Sequence, residues 1–102
     1  MTFTPPNQQL IDIAVQTLLD EGLPVETPVQ DLEAVKLLGS RAICDSLGLV
    51  SYLVALEERV NDTLGTGISL MSDRAMSLER SPFRNLAALI EFIEQLIVEQ
   101  KV

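Results

Sequence analysis

The sequence contains no histidine and no tryptophan, a single cysteine, and aromatic residues at only 4%. Without imidazole the chain lacks the usual base of Ser-His and Cys-His pairs and the commonest zinc ligand, which argues against a self-contained hydrolase and against the common zinc sites. The protein is expected not to be an enzyme. Cys44 has no partner for an internal disulfide and reads as a small apolar loop residue rather than a reactive thiol. Cations are also scarce: seven Lys and Arg face fifteen Asp and Glu, a net charge of -8. That balance opposes nucleic-acid binding and repels anionic membrane surfaces, so partners should carry basic patches. No apolar run approaches membrane-spanning length, so no membrane insertion is expected. The opening MTFTPPNQQL has neither the basic start nor the apolar run of a signal peptide, which makes the cytoplasm the expected compartment. Carboxylates such as Asp20-Glu21 and Asp31/Glu33 lack the spacing of a calcium loop, and no structural metal is expected.

What the chain does have is aliphatic bulk, with hydrophobic residues at 47% of its 102 positions. That length fits one domain, residues 1–102, with a thin core of Leu, Ile, Val and Ala that favours helix packed on helix. A first amphipathic helix is predicted over about 7–21, with Leu10, Ile11, Ala14, Val15, Leu18 and Leu19 on its apolar face, Gly22 as its cap and Pro24 beyond it. The connection from Leu23 to Cys44 is long for a compact domain, so it should pack back through Val35, Leu37 and Leu38, with a helical turn as an option. A second helix is predicted over 46–61, a short one over 72–78 capped by Ser72, and a last one over 82–99 opened by Ser81-Pro82. Leu86, Leu89, Ile90, Ile93, Leu96 and Ile97 form the face of that last helix. The expected fold class is all-α, a small bundle of three long helices plus one short helix.

The second helix carries two apolar stripes. Leu49, Tyr52, Leu53, Leu56 and Val60 follow core spacing. Leu47, Val50 and Val54 form another stripe, continued by Glu57 and Glu58, which reads either as a docking surface for a basic partner or as a second packed side. Asp45-Ser46 stands at the head of this helix, where both residue types are favoured as caps and where a phosphate on the serine would meet the positive end of the helix dipole.

The stretch CDSLGLVSYLVALEERV resembles the Asp-Ser-Leu signature and following helix of acyl carrier proteins, and the order of elements from about Leu10 to Ile97 is similar to theirs. The resemblance implies an acyl-carrier-like bundle, with a long loop between the first and second helices. It implies that Ser46, within the attachment motif with Asp45 and Leu47, takes 4'-phosphopantetheine covalently from coenzyme A. A separate magnesium-dependent phosphopantetheinyl transferase would install the arm, and its thiol would carry acyl intermediates as thioesters. Leu47, Val50, Val54, Glu57 and Glu58 would then face acyl-loading and acyl-processing enzymes with basic docking patches, and the chain would act as a monomer. Gly48 and Ser51 replace residues often acidic in housekeeping fatty-acid carriers, and Arg74, Arg80 and Arg84 make the later segment more basic, features similar to stand-alone carriers of specialised bacterial pathways. Two alternatives stay open: an aminoacyl or peptidyl carrier with the same arm, and an unmodified helical interaction module in which Ser46 serves only as a cap.

Overall fold

The computed structural model describes residues 6–25, 31–39, 41–71 and 82–100. Helix α1, Pro6–Asp20, opens with proline at its first position, where the missing N–H costs nothing. It closes on Gly22, whose φ of 75° is the left-handed turn that glycine adopts without strain. The Leu23 N–H returns to the Leu18 carbonyl and the Gly22 N–H to the Leu19 carbonyl, both at 3.0 Å, the paired bonds of a Schellman cap. Helix α2 is Ser46–Leu64 and ends on Gly65, again left-handed at φ 67°. It runs three residues past the expected end because the N–H groups of Gly65 and Thr66 both reach the Asn61 carbonyl. Helix α3 is Leu86–Gln100.

Between α1 and α2 lies one 3-10 turn among the described residues, η1, Leu32–Ala34, with Asp31 accepting from the Glu33 N–H at 3.0 Å. After it, Val35 and Leu37 are buried as the apolar pattern suggests, whereas Leu38 is 41% exposed. Its place is dictated by alternation: residues 35–37 run extended, with Lys36 paired antiparallel to Asn85, so Leu38 follows the buried Leu37 onto the outside.

The same pairing moves the start of the last helix. Ser81-Pro82 does not open it; Leu37 N–H donates to the Arg84 carbonyl and Leu86 N–H to the Val35 carbonyl, which holds Arg84 and Asn85 outside the helix and starts it at Leu86. Pro82 and Phe83 are buried in the lead-in. Asn85 is the cap instead, its Oδ1 accepting the Ala88 N–H at 2.8 Å. The expected short helix over 72–78 lies outside the described residues.

Helix α1 packs against both α2 and α3, and η1 packs against α3. The core gathers Leu10, Ala14 and Leu18 from α1, Leu49, Tyr52, Leu53, Leu56 and Val60 from α2, and Leu86, Leu89, Ile90 and Ile93 from α3. Leu19, assigned to the apolar face of α1 by spacing, is 42% exposed, because it stands on the opposite side from Leu10, Ala14 and Leu18. Thr17 takes the buried place there, its hydroxyl satisfied by the Ile13 carbonyl at 2.7 Å. Phe83 and Phe92 meet edge to face, ring centroids 6.3 Å apart, and close the core at the head of α3. Among the described residues no helix is long and apolar enough to cross a membrane.

Candidate functional site at the head of helix α2

Asp45 is the N-cap of α2, extended at φ -87° and ψ -176°, and Ser46 is the first helical residue. The Asp45 Oδ1 accepts the Gly48 N–H at 2.7 Å, and its carbonyl accepts the Leu49 N–H at 2.9 Å. These bonds account for the third and fourth amides of the helix; the amides of Ser46 and Leu47 stand ahead of the intrahelical ladder, at the positive end of a nineteen-residue helix.

Gly48 makes this cap close. A Cβ there would stand 3.1 Å from the Cys44 Cβ and 3.2 Å from the Asp45 Oδ1, so the absent side chain lets Cys44 and the capping carboxylate fold tightly over the first turn. Cys44 is half-buried, its Sγ 4.0 Å from the Leu37 carbonyl. Burial, and after it the neighbouring Asp45 charge, push its thiol above the usual range. It therefore stays protonated at neutral pH, which is the wrong form for a nucleophile.

From Ser46 the helix presents two different faces. Leu49, Tyr52, Leu53, Leu56 and Val60 are buried. Leu47, Val50 and Val54 are 79%, 46% and 47% exposed, one apolar strip on the outer face, and Glu58 continues it in the open. Glu57, expected on this strip, stands at its flank and is half-buried: its Oε1 accepts the Leu70 N–H at 2.7 Å. With Asn61, whose side chain bonds Ile68 through both its oxygen and its nitrogen, Glu57 holds the segment after α2 against the helix. Sequence spacing brings these residues onto one helix but carries no sign of a bond to a backbone amide thirteen residues away.

An anion at the head of α2 would meet the first-turn amides and the positive end of the dipole, and the capping Asp45 carboxylate accepts the Gly48 N–H within the same turn. A shallow cleft of about 380 Å³, lined by Asp12, Ile13, Gln16, Arg59 and Thr63, lies toward the other end of α2 and is separate from this site. Among the described residues no group of three or more His, Cys, Asp and Glu stands where it could hold a metal ion. No family model, curated protein or solved structure matches the chain.

Proposed function

We propose that the protein is a carrier that holds acyl intermediates on a 4'-phosphopantetheine arm attached to Ser46. The observation that supports this reading most directly is the position of Ser46: first residue of a long helix, behind a capping aspartate, at the start of an exposed apolar strip. Attachment forms an O–P bond at the serine oxygen in place of its O–H bond. The pyrophosphate of coenzyme A is cleaved, adenosine bisphosphate leaves, and the serine proton passes to the transferase or to solvent. When bound, the arm supplies a thiol that carries acyl groups as thioesters.

The chain's own residues then have three tasks. Asp45 fixes the first turn by capping it. The amides of Ser46 and Leu47, ahead of the intrahelical ladder, would offset the phosphodiester charge. Leu47, Val50, Val54 and Glu58 offer successive enzymes a common surface, so that cargo meets each of them at high effective concentration. The cap bond of Asp45 equally suits an unmodified interaction module that uses the same strip for one fixed partner, and one experiment separates the two.

Incubation with coenzyme A, magnesium and a broad-specificity phosphopantetheinyl transferase is expected to add the mass of one phosphopantetheine to the parent chain and none to Ser46→Ala. A folded parent that gains no mass with several transferases overturns the carrier reading.

A further inference from the structure

Helix α2 carries no acidic or basic residue from Ser46 to Leu56, in a chain that holds fifteen acids and seven bases elsewhere. Within that span Leu47, Val50, Ser51 and Val54 are exposed. Helical spacing keeps them together, because Ser51 lies one turn beyond Leu47 and one turn before Val54, with Glu58 a further turn on. Ser51 therefore stands midway along the apolar strip. The acids stand at the two ends: Asp45 is exposed at the cap, with its Oδ1 on the Gly48 N–H, and Glu58 and Asp62 are exposed four residues apart toward the other end. Glu57, the first acid after the span, is half-buried and its Oε1 accepts the Leu70 N–H.

Asp45 and Glu57 are each six residues from Ser51 and Glu58 is seven, so the nearest acids of α2 and its cap lie about 9–10 Å away along the axis. That is beyond ion-pair reach and about one Debye length at physiological salt. A base pressed onto the middle of the strip would lose water there without gaining an acidic partner, whereas a base placed beyond either end would meet a carboxylate. A second copy of this chain does not suit such a face. In either orientation it would bring acids against acids, and three aliphatic side chains fall short of the roughly 800 Å² per partner that a standard interface buries.

We propose that Ser51 is a specificity-determining residue of this face. By keeping the middle of the strip uncharged it admits a partner whose apolar ridge lies over Leu47, Val50 and Val54 and whose basic groups lie beyond the ends of that ridge. It disfavours a partner that carries its base at the middle, where the charge would be desolvated and unpaired. That these partners are enzymes acting at Ser46 is taken from the proposed function; the charge pattern that selects them belongs to the surface itself.

The test uses Ser46→Ala, so that modification plays no part, and two synthetic amphipathic helical peptides with the same leucine ridge and the same net charge. One carries lysines at its two ends and glutamines beside the middle of the ridge; the other has these positions exchanged. The end-lysine peptide is expected to bind roughly threefold more tightly at low salt and to move the NMR amide signals of Leu47, Val50, Ser51 and Val54. Adding Ser51→Glu, an exposed change to a better helix former, is expected to invert the order of the two peptides. Ser51→Gln, which adds bulk without charge, is expected to preserve it. Equal or tighter binding of the middle-lysine peptide, no shift at these residues with either peptide, or an order that Ser51→Glu leaves unchanged overturns the role of Ser51. Failure of the mass gain described above, with the peptide order intact, instead removes the carrier reading and leaves the surface standing.

Discussion

The hydroxyl of Tyr52 donates to the Ala14 carbonyl at 3.0 Å inside the core and ties α2 to α1. Its spacing with Leu49, Leu53 and Leu56 is enough to assign it to the interior; its acceptor is a backbone carbonyl, which leaves no mark in a sequence. Thr17 is hidden in the same way, since a threonine reads as polar until the Ile13 carbonyl satisfies it. Burial, and to a smaller extent the Cys44 charge, hold the Tyr52 phenol far above its usual value of 10.0. The folded state therefore keeps a proton that the unfolded state gives up above about pH 10. The bond's stabilisation is undiminished below that pH and falls as pH rises beyond it. This is directly observable because Tyr52 is the only tyrosine and there is no tryptophan. Phenolate absorbance on alkaline titration is expected to appear only as the helical circular-dichroism signal is lost. Tyr52→Phe should cost about 1 kcal/mol at neutral pH through loss of this one bond, the Ala14 carbonyl keeping its place in the α1 ladder, and should flatten the decline above pH 10. Phenolate forming while the helices stay intact would place Tyr52 outside the core.

At the scale of elements, the helix ends divide into those that local pattern specifies and those it does not. Gly22 and Asp45 are visible in sequence, because a glycine after an amphipathic run and an acid before one act on their own neighbours. The start of α3 is different. Ser81-Pro82 is the stronger local signal, yet the backbone of residues 84–86 is already committed to residues 35–37, far away in the chain. A long-range pairing overrides a capping preference worth about 1 kcal/mol, and no window of sequence contains both partners. The side-chain caps at the starts of α2 and α3 are expected to respond alike. Asp45→Ala and Asn85→Ala should each cost about 1 kcal/mol, read from denaturant midpoints with an unchanged m-value. Asp45→Asn keeps a side-chain oxygen for the Gly48 N–H and should fall within a few tenths of a kcal/mol of the parent. If Asp45→Asn stays stable but is modified more slowly by the transferase, the carboxylate has a role in recognition beyond its role in folding.

For the whole molecule, the decisive feature is that α2 is apolar on two sides while, among the described residues, α1 and the loop segments cover only one. Periodicity shows both stripes and cannot choose between a helix packed on two sides and a helix with an open face. The choice depends on what remains to cover the second stripe, and in the described residues α1 lies on the core side with Tyr52, Leu53 and Leu56 at 0–2% exposure while Leu47 stays at 79%. An exposed apolar strip contributes nothing to folding that water does not already permit, so it persists for another reason or none. The contrast can be measured within one helix. Leu47→Ser, Val50→Ser and Val54→Ser, singly, are expected to change stability by no more than about 0.5 kcal/mol, whereas Leu53→Ala and Leu56→Ala should each cost about 2–5 kcal/mol through lost burial and the cavity left behind. If the strip is a docking surface, the same three serine variants should slow modification at Ser46 while remaining folded, because they remove contact area from the partner and none from the core. Comparable destabilisation from both sets would mean that a segment of this chain covers the strip, and would withdraw the surface from any partner.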